Sequence, residues 1–272
     1  MTNRQRIKAL YQILHKIIFK PSSIFLVLKD ETEYEKYLLK KYQKTQFPTA
    51  DINQFLIDGK GQINHYTFLD GSSLITDLAL LKSIALSIPK CEYLEIGTWR
   101  GESIMNVADC AAHCTSINLS PKDIMALGLS EKYANLHGCL IKDKPNILSV
   151  HANSLSFDFS SLNQQFDFIF VDGDHSYEGV KSDSQKVYEL LKDENSVIVW
   201  HDYGFSPEIT RHLVMAAIMD GLPSEAHQFL YHVSNTICAI YTKRKLETIS
   251  LESPVRPDKV FSVSFENSPF ET

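Results

Sequence analysis

Asp172, Asp174 and His175 stand together in "FDFIFVDGDHSYEGVKSD", Phe166 to Asp183, directly after an apolar run. Two carboxylates and an imidazole in that order can hold a cation, take a proton, or both. A second group follows in "VIVWHDY", where His201 and Asp202 close another apolar run. A third lies in "YLEIGTWRGES": Glu95, then Gly97 and Gly101 framing a turn, with Thr98 and Ser103 beside them. Glycines in such a turn let backbone approach a ligand closely. The spacing is GxxxG rather than the GxGxxG of a dinucleotide cradle, and Glu95 suits a ligand carrying an amino group better than a phosphate.

These groups need strands that end at one edge of a sheet. Short apolar runs at 93–96, 115–119, 147–151, 166–171 and 196–200 predict strands. Helical stretches are expected at 101–114, 121–135, 177–191 and 207–220. Residues 229–233 and 236–241 predict an antiparallel pair turning at "SN". Alternation of this kind indicates a mainly parallel, doubly wound α/β sheet, in which ligands bind beyond the carboxyl ends of the strands. Every group named above falls at such an end.

Upstream, 72–88 predicts a helix with Leu74, Leu78, Leu81 and Ile84 on one face, and 47–71 a loop. Residues 30–46 predict a charged helix. Apolar residues from Ile7 to Ile18 recur at helical spacing until Pro21. Three parts result: a helical arm and loop (1–70), a catalytic domain (71–245) and a tail (246–272). In the tail, alternating Phe261, Val263 and Phe265 suggest an edge strand.

The chain has 272 residues and a net charge of −6. Residues 1–29 hold six Lys or Arg and no acid, leaving 21 basic against 33 acidic side chains in the rest. An acidic body argues against nucleic-acid binding. The basic head has two readings: a peripheral membrane contact, or a helix docked on the body or on a second subunit in a homo-oligomer. No secretory signal or membrane span is visible. Five cysteines without a CxxC pair suit a reducing, cytoplasmic setting, and Cys110 and Cys114 of "CAAHC" read as ordinary helix packing.

"LEIGTWRGES" resembles motif I of class I S-adenosylmethionine-dependent methyltransferases, and the small-molecule O-methyltransferase branch in particular. "FDFIFVDGDHSYEGVKSD" and "VIVWHDY" resemble the fourth- and fifth-strand motifs of that branch. The resemblance covers roughly 70–242. It implies a seven-stranded Rossmann-like sheet and methyl transfer to a hydroxyl of a sugar, natural product or phenol. Glu95, Gly97, Thr98, Gly101 and Ser103 would surround the cofactor's methionine and ribose. Asn118 stands where the family has an acid for the ribose hydroxyls, and Asn153, followed by Ser154, where it often has an Asp near adenine. Both departures lose charge-assisted bonding.

The resemblance further implies a divalent metal held by Asp172, His201 and Asp202. An imidazole in that set suits Mn or Fe better than Mg. His175, with a pKa near neutrality, would serve as general base. Asp174 reads as a turn residue. A cephalosporin-hydroxylase-like oxygenase resembles the same motifs, with Asp172, His201 and Asp202 as a facial triad. A non-catalytic binding protein is the remaining alternative.

Overall fold

The structure, a computed structural model, describes residues 31–141, 144–251 and 254–269. The expected helix at 7–18, the basic head and its membrane or subunit contacts lie outside the described residues.

The first described helix, α1 (Thr32–Tyr42), leads through β1 (Thr49–Ala50) to α2 (Ile75–Ser87). β2 (Glu92–Ile96), α3 (Glu102–Ala108) and β3 (His113–Asn118) follow. Two short helices, α4 (Pro121–Ala126) and α5 (Glu131–Ala134), precede β4 (Ile147–His151). β5 (Phe168–Val171), α6 (Tyr177–Tyr188) and β6 (Val197–Trp200) form the centre. A hairpin of β7 (Gly204–Ser206) and β8 (Ile209–Thr210) leads into α7 (His212–Gly221). β9 (Leu230–Val233), β10 (Ala239–Tyr241) and β11 (Thr248–Ile249) complete the order.

The main sheet runs β11-β1-β9-β10-β6-β5-β2-β3-β4. β4, β3, β2, β5 and β6 are parallel, and β10 is antiparallel to both β6 and β9. The doubly wound α/β class is therefore observed, with the seven expected strands extended by two dipeptide strands. β1 pairs parallel to β9, and β11 antiparallel to β1.

The central strands form because both faces are covered. In β5, Phe168 and Phe170 pack with Leu78, Leu81 and Ile84 of α2, while Ile169 and Val171 pack with α6 and α7. Both "FIFV" and "VIVW" are buried at every position, as parallel strands between two helical layers require. Leu74, expected on the buried face of α2, is instead exposed.

Several boundaries differ from expectation. The stretch 121–135 divides at Gly128 (φ +87°), and Ser120 and Ser130 each cap a new helix. The helix expected from 207 begins only after the β7–β8 hairpin. Helix α3 ends at Ala108, so "CAAHC" is not helical: Cys110 lies in the turn and Cys114 is buried in β3. The tail's edge strand forms at Thr248–Ile249 and not at Phe261–Phe265, which has no regular structure.

α1 packs Leu38 into the core and gathers its polar contacts on one carboxylate of the body. Asp220 of α7 accepts from Tyr37 Oη at 2.6 Å and Lys41 Nζ at 2.7 Å, and from the hydroxyls of Tyr42 and Tyr177. Those four donors hold the Asp220 carboxyl far below the usual range despite its burial. Among the described residues, no helix is long and apolar enough to cross a membrane.

Candidate functional site

The ladder of the sheet continues one residue past each strand, bringing the strand ends level. Gly97 N donates to Ile117 O at 2.9 Å, and Ala152 N to Asn118 O at 2.9 Å. Asp172 N donates to Ile96 O at 2.8 Å, and His201 N to Val171 O at 3.0 Å. Above this row lies a cavity of about 920 Å³. Gly97, Thr98, Asn118, Asn153 and Ser154 line one part of it, and Asp172, His175, His201 and Asp202 the other.

The two motif I glycines serve the protein's own packing. A Cβ on Gly97 would lie 2.0 Å from the Asp172 carbonyl oxygen, and φ is +85°. A Cβ on Gly101 would lie 2.6 Å from Ile141 Cγ2, at φ +102°. Gly97 lines the cavity and also lets the ends of β2 and β5 meet.

Glu95 does not line the cavity. It is fully buried beneath it, accepting from Tyr93 Oη at 2.8 Å and Thr98 Oγ1 at 2.9 Å. Burial raises its pKa to about 7, against the pull of hydrogen bonds from Tyr93, Thr98 and Ser103. Ser103 and Gly101 likewise stand behind the wall. Asn118 does face the cavity. Its Nδ2 donates to Thr98 O at 3.0 Å and sits 3.2 Å from His137 Nδ1. The remaining polar atom of that amide is its acceptor oxygen. Trp99 and His137, which line the same lobe, were not singled out from sequence; nothing in their local pattern marks them.

The other lobe carries the charge. His175 Nδ1 lies 3.0 Å from Asp202 Oδ2, and its Nε2 lies 3.3 Å from Asp172 Oδ1. His201 Nδ1 lies 3.2 Å from the same Asp172 oxygen and 3.7 Å from Asp202 Oδ2. Asp202 reaches this point from a left-handed backbone (φ 55°), which Asp tolerates better than most residues. Arg211 Nη1 stands 3.9 Å behind it. Asp174 is the expected turn residue: it accepts from Ser176 N at 3.1 Å and Ser176 Oγ at 2.6 Å. Ser176 in turn caps α6 by accepting from Gly179 N.

Burial opposes charge throughout this lobe, and pairing overrides it. Burial would lower His175, but hydrogen bonds to Asp172 and Asp202 push it up to about 9. His201 is raised well above the ordinary imidazole value against its burial, chiefly by the charge of Asp172. Asp172 and Asp202 are both lowered against their burial by the two imidazoles. The near-neutral His175 expected from sequence is therefore not what an ion-free centre gives: two flanking carboxylates hold its proton.

The donor set fits a divalent ion. Asp172, His175 and Asp202 can each offer one ligand atom, all within 4.8 Å of one another. His175 thus enters a group expected to contain His201. His201 stays beside it, with its side chain only 10% exposed against 42% for His175. Its far nitrogen meets Asp77, a residue missed from sequence. Asp77 sits three residues into α2, where it reads as an ordinary helix-start acid; its distant partners, His201 and Ile237, follow the end of β6 and lie in the turn between β9 and β10.

Residues 94–203, a stretch shorter than half the chain, match a family model described as a methyltransferase domain. No curated protein matches the sequence. Similar solved structures include the SAH-bound methyltransferase PaMTH1 of Podospora anserina, at 15% identity over 79% of this chain and 87% of that one, with a TM-score of 0.45. An O-methyltransferase of Bacillus cereus in complex with SAH shows 16% identity over 64% and 84%, with a TM-score of 0.42. The CcbJ methyltransferase of Streptomyces caelestis shows 16% identity over 48% of this chain, with a TM-score of 0.33. The chain spans about half the length of that protein, at 50%.

Proposed function

We propose that the protein transfers a methyl group from S-adenosylmethionine to a hydroxyl oxygen of a small molecule, assisted by a divalent ion. One observation supports this above the others: a single cavity joins a neutral polar lobe to a charged one, and the matched domain spans both. The neutral lobe, with Thr98, Asn118, Asn153 and Ser154, is where the cofactor would lie. The charged lobe, with Asp172, His175, His201 and Asp202, is where the acceptor would be activated.

S-adenosylmethionine, when bound, supplies a methyl carbon made electrophilic by its sulfonium. A dication held by Asp172, Asp202 and His201 would lower the acceptor hydroxyl's pKa and offset the carboxylate charge on His175. The protein's own residues do the rest. His175 accepts the hydroxyl proton as the oxygen attacks, a contribution of about 10²–10⁴ in rate. Asp202, 3.0 Å from Nδ1, orients that imidazole and stabilises the charge it gains, leaving Nε2 to take the proton. The walls of the cavity align oxygen, carbon and sulfur.

Incubation with methyl-labelled cofactor and a panel of hydroxylated small molecules tests this. Label should appear as a methyl ether, and His175→Ala should slow its appearance. Label arriving only on nitrogen or carbon would contradict the hydroxyl assignment.

Two imidazoles beside two carboxylates also favour a second reading, an iron-dependent oxygenase. Tightly held iron with oxygen uptake, and no methyl transfer, would favour it.

A further inference from the structure

Asp77 belongs to none of the three sequence motifs, yet it touches the centre. Its side chain is fully buried. Oδ1 accepts from Ile237 N at 3.1 Å, and Oδ2 accepts from Leu74 N at 2.9 Å. The same Oδ2 lies 3.2 Å from His201 Nε2. Both oxygens are thus committed as acceptors, held by backbone on two different elements. An acceptor at that distance needs a donor opposite, so Nε2 of His201 carries the hydrogen.

That leaves the other nitrogen for the centre. Nδ1 faces Asp172 Oδ1 and Asp202 Oδ2. At 3.2 Å from the Asp172 oxygen it too carries a hydrogen while no ion is bound; a dication between the carboxylates would displace that proton and meet the Nδ1 lone pair. His175 brings a second imidazole to the same oxygens. A buried carboxylate that sets the tautomer and orientation of a histidine is the usual partner of a metal-ligating imidazole.

We propose that Asp77 is a positioning residue that fixes His201 as a nitrogen donor, so that this centre takes a transition dication such as Mn²⁺, Fe²⁺ or Co²⁺ in preference to Mg²⁺. The inference rests on the metal-assisted form of the proposed function. Its chemistry is that of the donors: Mg²⁺ demands oxygen in near-octahedral array, whereas imidazole suits the transition ions. In Asp77→Asn one oxygen becomes an amide donor. Turned toward His201, it would meet Nε2–H and force the opposite tautomer, removing the Nδ1 lone pair.

Calorimetric titration of Mn²⁺ and of Mg²⁺ into the metal-stripped full chain tests this, with S-adenosylmethionine titrated in parallel. Mn²⁺ should bind at least about 100-fold tighter than Mg²⁺. Asp77→Asn should lose about 10–100-fold in Mn²⁺ affinity, with Mg²⁺ affinity changed far less. His201→Asn should bring the two ions within a few-fold of each other, which keeps the test decisive if Asp77→Asn melts early. Electron spin-echo spectroscopy of the Mn²⁺ form should show imidazole nitrogen coupling, with one coupled nitrogen fewer in His201→Asn. Equal affinity for the two ions, wild-type Mn²⁺ affinity in a folded Asp77→Asn, or no dication binding would overturn the proposal. Cofactor binding separates the two claims: if the cofactor binds but no dication does, this inference fails and methyl transfer stands. If ion preference holds without cofactor binding, the reverse is true.

Discussion

The two lobes of the cavity are built from different materials. The lobe around Thr98, Asn118 and Asn153 presents chiefly hydroxyls and amides, and Glu95 is sealed beneath its wall. The lobe around Asp172 and Asp202 concentrates carboxylates and imidazoles, tied to one another at 3.0–3.3 Å. One lobe can hold a large ligand by shape and neutral hydrogen bonds. The other can move a proton or hold an ion. The division teaches that binding and chemistry are separable here, and that they join at Gly97, where β2 meets β5.

Breaking that joint should give the largest effect. Gly97→Ala places a methyl group 2.0 Å from the Asp172 carbonyl at a backbone angle alanine resists. A loss of about 3 kcal/mol or more in stability is expected, measured by denaturant unfolding, with both lobes failing together. If the folded variant binds cofactor and ion as wild type does, the lobes do not depend on this junction.

Next, His175→Ala should separate the lobes. The turnover rate should fall by about 10²–10⁴ while cofactor affinity stays within about twofold. Rapid-quench kinetics beside equilibrium binding would show it; a parallel loss of both would place His175 in the binding lobe.

Glu95 offers a pH test of the neutral lobe's foundation. Its folded pKa, about 7, lies above the ordinary carboxyl value of 4.5, so the folded chain holds the extra proton between those values. Glu95's contribution is fully present below about pH 4.5 and is lost as pH rises through 7, by at most about 3 kcal/mol. Melting curves of wild type and Glu95→Gln across pH 4.5–7.5 should diverge in slope by that sign. A difference that does not change with pH would mean Glu95 is ionised throughout.

The smallest effect sharpens the comparison most finely. Asn118→Ala removes the bonds to Thr98 and His137 and should weaken cofactor binding by about 1 kcal/mol. Ion affinity should be unchanged; a loss there would show that the lobes are coupled.

Much of this was legible in the sequence. The central strands announce themselves because "FIFV" and "VIVW" are covered on both faces. The residues that follow each run were found for the same reason: strand ends in a parallel sheet are brought level by the ladder. Local chemistry explains other successes, as with Asp174 and Ser176 at the start of α6. What was hidden depends on distant parts of the chain. Asp77 looks like any acid in a first helical turn, and only the folded sheet sets it against His201 and Ile237. The dipeptide strands β1 and β11 carry no pattern long enough to see. Glu95 was placed beside the ligand because its neighbours are; alternation along β2 turns it instead into the layer below. His175 sits above the neutral value expected because Asp202, from the end of the neighbouring strand, joins Asp172 of its own loop, and only the fold brings Asp202 there.

The most direct test is calorimetric titration of S-adenosylmethionine into the purified full chain, with and without EDTA. Micromolar binding that survives EDTA is the expected result, since the neutral lobe needs no ion to hold the cofactor. No binding under either condition would contradict methyl transfer, and the charged lobe would then have to serve a different reaction.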